Sequence, residues 1–259
     1  MSIWPLFKQG LKSNYNILLI FMLVFCLYIS VIVSMFDPQL GRALDEMSKS
    51  MPELMAMFGM TSIGTTLIGV LSTYLYGFIM LIFPMVFTII VTNSLVARQV
   101  DKGSMAYLLA APHTRMKVII TQMQVYGVLI FTLIAFGTAL GIIASEVMFP
   151  GELDTKTFII LNVGVLCLHF AIGSICFLAS CIANETRYCL FIGAGITVIS
   201  YLIQMLSNMG GKLENLKYAT FFTLFDAEGI IAGERGAYIM LSILVIAGIV
   251  LYGMSLYVF

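Results

Sequence analysis

Charge is what this sequence has least of: Asp, Glu, Lys and Arg make up 10% of its 259 residues, against 61% that are apolar. A water-soluble domain carries about a quarter charged residues, so an ordinary soluble fold is excluded. Thirteen basic residues balance thirteen acidic ones, which leaves no basic surplus to hold nucleic acid. Cys26, Cys167, Cys176, Cys181 and Cys189 are scattered through apolar stretches without metal-ligand spacing, so neither a disulfide framework nor a zinc site is indicated. There is no phosphate-binding GxxxxGK[ST] loop; Met209-Gly210-Gly211-Lys212 lacks both its spacing and the hydroxyl residue that follows. HExxH is missing, and so is any acid deep in a long apolar run, which argues against an intramembrane protease or acyltransferase.

What the chain does have is charge-free runs. A bilayer core of about 30 Å takes about 20 helical residues, and six runs reach that length: 13–36, 54–97, 118–145, 157–184, 188–211 and 236–259. The second is too long for one helix, and Gly59, Gly64, Thr65 and Thr66 crowd its front, so only its back part should cross. The expectation is an all-α polytopic membrane protein, one transmembrane domain over 1–259. Its spans lie at about 17–36, 67–92, 118–145, 157–182, 189–207 and 238–258. The first run, with no small-residue cleavage site after it, reads as a span and not as a removed signal peptide.

The segments between spans carry their own patterns. Trp4, Phe7 and Leu11 recur at helical spacing with Lys8 and Lys12 on another side, which predicts a short interfacial helix before the first span. Asp37-Pro38 and Ser50-Met51-Pro52-Glu53 offer helix starts, and Leu40, Leu44, Met47, Met51, Leu54 and Phe58 form one apolar stripe, so two short surface helices should end at Gly59. The uncharged stretch 218–225 is too short to cross and reads as a re-entrant or interfacial helix. With both termini inside, Lys8, Lys12, Arg98, Lys102, Arg115, Lys117 and Arg187 fall on the inner face, at about twice the density of the outer basic residues. Cytoplasmic termini in the cell membrane follow.

The inner loop between the second and third spans has structure written into it. Gly103 and Ser104 can open a short helix, Met105, Leu108 and Leu109 give it an apolar side, and Pro112 ends it. Arg98, Asp101, Lys102, His113 and Arg115 flank it, as suits an element on which a partner docks. Within the spans, Pro84 removes a backbone donor and permits a bend. His169 is the only ionisable imidazole at depth; without a carboxylate beside it, it reads first as a hydrogen-bonded packing residue. The fifth span contributes Thr197, Tyr201 and Gln204, and its Gly193 and Gly195 allow close helix approach without forming GxxxG.

The string VDKGSMAYLLAAPHTR, 100–115, resembles the segment after the second span of ABC-2-type transporter permeases, and MPELMAMFG, 51–59, and FTLFDAEGIIAG, 222–233, agree with the same family in the same order. The resemblance covers the whole six-span layout. It implies the membrane half of an exporter, not itself an enzyme, that pairs with a second permease subunit as a homo- or heterodimer. Two copies of a separate ABC ATPase would bind beneath it and hold ATP and Mg, so this chain would bind no cofactor of its own. The inner helix would then be a coupling helix, with Arg98, Asp101, Lys102, Gly103, Ser104, Tyr107, Leu108, Leu109, Pro112, His113 and Arg115 as the coupling residues, although Gln99 replaces an acid common in the family. Pro84, His169, Thr197, Tyr201 and Gln204 would line a substrate path for an amphipathic or hydrophobic compound such as a peptide, antibiotic or lipid-like molecule. Two readings compete: an ATP-independent secondary transporter or channel, and a membrane anchor or immunity subunit.

Overall fold

The computed structural model describes residues 3–36, 50–59, 66–101, 114–183 and 185–258. Among them there is no strand, and six helices are long and apolar enough to cross a bilayer. Spans 1 to 6 are Trp4–Ser34, Leu67–Val100, Arg115–Met148, Thr155–Ile182, Thr186–Asn208 and Arg235–Val258.

Span 4 is the hub. It packs against spans 2, 3, 5 and 6, whereas span 1 lies mainly along span 3. Small residues set the closest approaches: a Cβ added to Gly141 of span 3 would come within 2.6 Å of the Phe158 ring, and one on Gly248 of span 6 within 2.8 Å of Phe170. Glycine at these positions lets large rings seat against backbone, which is how membrane helices gain dispersion contact where lipid is as apolar as the side chains.

Two expectations change. The amino-terminal stretch is not a separate interfacial helix; with Pro5 in its first turn it runs unbroken into span 1. A helix of 31 residues is about 46 Å long at 1.5 Å per residue, well beyond a 30 Å core. The Ile3 amide donates to Thr121 Oγ1 at 3.0 Å, and Gly10 sits against Val125, tying that end to span 3. Span 2 is also longer than expected and irregular. It opens as α-helix over Leu67–Leu71, with the Thr66 hydroxyl capping the Gly69 amide, widens to π-helix over Ser72–Ile79, and returns to α-helix over Met80–Leu95. Pro84 lies just past that junction, where it has no N–H to give the Met80 carbonyl.

The surface helix before span 2 is present as Pro52–Met57, capped at Met51 rather than Ser50, and stopped at Gly59 with φ +72°. Its companion over 37–49 lies outside the described residues. In place of one helix, the segment between spans 5 and 6 forms 3-10 turns, Gly211–Ala219 and Phe221–Leu224, followed by the short α-helix Ala227–Ile231. Asp226 caps that helix, its Oδ1 accepting from the Gly229 amide at 2.9 Å.

Candidate functional site

The loop between spans 2 and 3 is framed at both ends. After span 2 turns at Val96, the helix Ala97–Asp101 carries Arg98, which is exposed, and Asp101. Ala97 is buried against Ala183 and Cys189, at the junction of spans 4 and 5. The Ser180 hydroxyl lies 3.0 Å from Cys189 Sγ in the same corner. Span 3 then starts at Arg115, also exposed. Lys102, Gly103, Ser104, Tyr107, Leu108, Leu109, Pro112 and His113 lie outside the described residues. The loop is thus continuous with span 2 through the helix that carries Ala97 and with span 3 at Arg115, and Ala97 packs where spans 4 and 5 meet.

Inside the bundle, polar side chains form a seam that holds spans 2, 3 and 4 together. The Tyr126 hydroxyl of span 3 donates to the His169 carbonyl at 2.6 Å and pairs with Thr88 Oγ1 of span 2 at 3.0 Å. His169, fully buried, sets Nδ1 2.8 Å from the Val165 carbonyl and Nε2 3.2 Å from the Leu81 carbonyl of span 2. Nearer the opposite end, Asn162 Nδ2 of span 4 donates to the Tyr76 hydroxyl at 2.6 Å and to the Phe158 carbonyl at 2.9 Å. These bonds pair polar groups where water is excluded, with a neutral imidazole, which carries one N–H, donating to one of its two facing carbonyls; such bonds between membrane helices contribute about 0.6 kcal/mol each.

The path residues expected from sequence do not share one surface. Pro84 and His169 are in the buried contact between spans 2 and 4. Thr197 is buried and bonded to the Gly193 and Ala194 carbonyls of its own helix. Tyr201 is buried with its ring 5.3 Å from that of Phe222. Gln204 lines a cavity.

That cavity, of about 300 Å³, lies at the end of the bundle away from Arg115. Ser72, Thr73, Tyr76 and Gly77 come to it from the π-helical stretch, Gln204 and Asn208 from span 5, and Phe222, Phe225, Asp226 and Glu228 from the segment before span 6. Glycine at 77 is required, since a Cβ there would stand 2.6 Å from the Phe58 carbonyl oxygen. Gln204 holds the far wall, donating to Asn208 Oδ1 at 2.9 Å and accepting from the Thr223 hydroxyl at 2.8 Å. Sequence reasoning missed Tyr76, Tyr126 and Asn162. Tyrosines at span depth, away from the interfacial belts where they usually sit, and an asparagine in a charge-free run were the available signals.

A family model described as ABC-2 family transporter protein matches residues 7–259. No curated protein matches the chain.

Proposed function

As the chain belongs to the ABC-2 transporter family, we propose that it is the permease subunit of an ATP-driven exporter, powered through the 98–115 loop by separate ATPase subunits. The sequence has no GxxxxGK[ST] phosphate-binding loop, so in this reading ATP is bound by a partner. The observation that carries the reading is the framing of the loop: it emerges from span 2 and re-enters as span 3, and these two spans are joined by the Thr88–Tyr126 bond and through His169 to span 4. Closure of ATP-bound ATPases on the docked loop would move spans 2 and 3 as one body. The π-helical stretch and Pro84 supply a place in span 2 where the backbone can yield.

A second permease subunit completes the path in this reading, with both termini and the loop in the cytoplasm. The test is co-purification of the chain with an ABC ATPase from its native membrane. Replacing Gly103–Pro112 with a flexible linker abolishes that capture, and ATP-dependent transport in vesicles, while the chain stays in the membrane. Capture that survives the replacement, or transport by the chain alone, refutes it.

A further inference from the structure

We propose that the 300 Å³ cavity at the end of the bundle away from Arg115 is a binding site for an organic ammonium group. Three kinds of wall converge there. Tyr76, Phe222 and Phe225 present aromatic rings, with the Tyr76 and Phe225 centroids 6.3 Å apart. Asp226 and Glu228 supply two carboxylates. Among the described residues no lysine or arginine lines the space, so nothing in the wall neutralises that charge.

Aromatic faces attract a cation through the ring quadrupole, and the contact strengthens as the ammonium loses water. An inorganic cation would need a shell of oxygens at short range, which two carboxylates on a short helix do not make. A substituted ammonium uses both features: its carbon-bound hydrogens meet the rings while its charge is matched by the acids.

Tyr76 in this wall is held from behind by Asn162, which lines a separate space between spans 3 and 4. Tyr76 is 1% exposed, and its hydroxyl accepts from Asn162 Nδ2, while its own proton has no acceptor among the described residues. Behind it, buried Asn162 Oδ1 is without a donor there. The hydroxyl of Ser72 and the amide of Asn208 in the same wall suit an ammonium compound that also carries an oxygen, such as an amino alcohol or the headgroup of an aminophospholipid.

The biological use of such a site rests on the permease reading, but binding needs no ATPase, so the two fail separately. The full chain is placed in nanodiscs of phosphatidylglycerol, which has no ammonium, and titrated with radiolabelled choline. Saturable binding is expected, not displaced by the neutral isostere 3,3-dimethylbutan-1-ol, and weakened at least tenfold in Asp226→Asn/Glu228→Gln. Asparagine at 226 keeps a capping oxygen for the Gly229 amide, and Glu228→Gln alone alters only an exposed side chain and should weaken binding by a smaller factor. An unchanged melting profile certifies the variants. In phosphatidylethanolamine nanodiscs, loss of choline binding identifies a lipid headgroup as the occupant, and retention identifies a free amine. Absence of saturable binding, displacement by the neutral isostere, or equal affinity in the double variant overturns the proposal.

Discussion

Spans 2 and 4 have nearly the same apolar character as spans 5 and 6, yet they live in different surroundings. In spans 2 and 4, 61% of the most apolar stretch is buried, whereas the corresponding figures for spans 5 and 6 are 28% and 22%. Hydropathy tells which segments leave water and is silent about which of them meet lipid. The difference is carried by other residues: Tyr76, Thr88, Asn162 and His169 place polar atoms where only protein can satisfy them. Gly164 and Gly173 admit rings where spans 5 and 6 show exposed Ile, Leu and Val.

The sharpest way to break that contrast is to fill the space beneath Tyr126. A Cβ on Gly173 would overlap Tyr126 Cε1 and stand 2.6 Å from Cζ, and the ring cannot retreat without giving up Thr88 and the His169 carbonyl. Gly173→Val should therefore cost about 3 kcal/mol, the upper part of the usual overpacking range, read as a lowered unfolding midpoint in detergent. Tyr126→Phe keeps the ring and removes both bonds, for an expected loss of about 1–2 kcal/mol. Combined with Thr88→Val in a double-mutant cycle, it should show a coupling of about 0.6 kcal/mol. Strict additivity would mean that the seam does not join spans 2 and 3.

How much of this was legible beforehand follows from the same contrast. The six spans and their order came from gaps between charges, because a charge at span depth is costly whatever the fold. The helix Pro52–Met57 and the stop at Gly59 were legible from proline and glycine, whose backbone limits are local. The π-helical stretch was not, since Ser72–Ile79 is unremarkable in composition and its widened turn depends on neighbours. Nor was the cavity: Gln204 was picked out from span 5 alone, while Tyr76 and Asp226, 150 residues apart, meet only through tertiary packing. The expected path scattered for a related reason. Thr197 and Tyr201 look polar in sequence, but a hydroxyl in a membrane helix can bond its own backbone carbonyl, as Thr197 does.

Two glycines in span 5 sharpen the comparison within a single helix. Gly193 faces span 4, where an added Cβ would lie 3.3 Å from both Ala179 Cβ and Cys176 Cα; Gly195 meets nothing within 4 Å. Gly193→Val should destabilise by about 1–2 kcal/mol through overpacking. Gly195→Ala should be neutral or slightly stabilising, since alanine is the better helix former by about 1 kcal/mol. Phe191, 81% exposed on the same helix, should tolerate Leu within about 0.5 kcal/mol. A large loss at Gly195 or Phe191 would show that this face is covered by another subunit and not by lipid.

The smallest expected effect concerns the entrance to span 4, where the hub meets water. Asp154 caps the helix: Oδ1 accepts from the Thr157 amide at 3.2 Å and Oδ2 from the Thr157 hydroxyl at 2.6 Å. The hydrogen bonds from Thr157 hold the carboxyl below its ordinary range, because they favour the charged form. A depressed native pKa means that the cap's contribution is present above the unfolded carboxyl's pKa and fades as pH falls through the native value. Protection of the Thr157 amide, its exchange relative to the intrinsic rate at the same pH, should accordingly fall only on acidification below the usual carboxylate range, and Asp154→Asn, which caps without titrating, should remove that dependence. The buried seam of the same span has no such exposed carboxylate, so exchange at Phe177 should stay slow over the window in which Thr157 opens. If both amides open together, the stability of span 4 is set at its solvent-facing cap, and the distinction between buried and lipid-facing spans loses its physical basis.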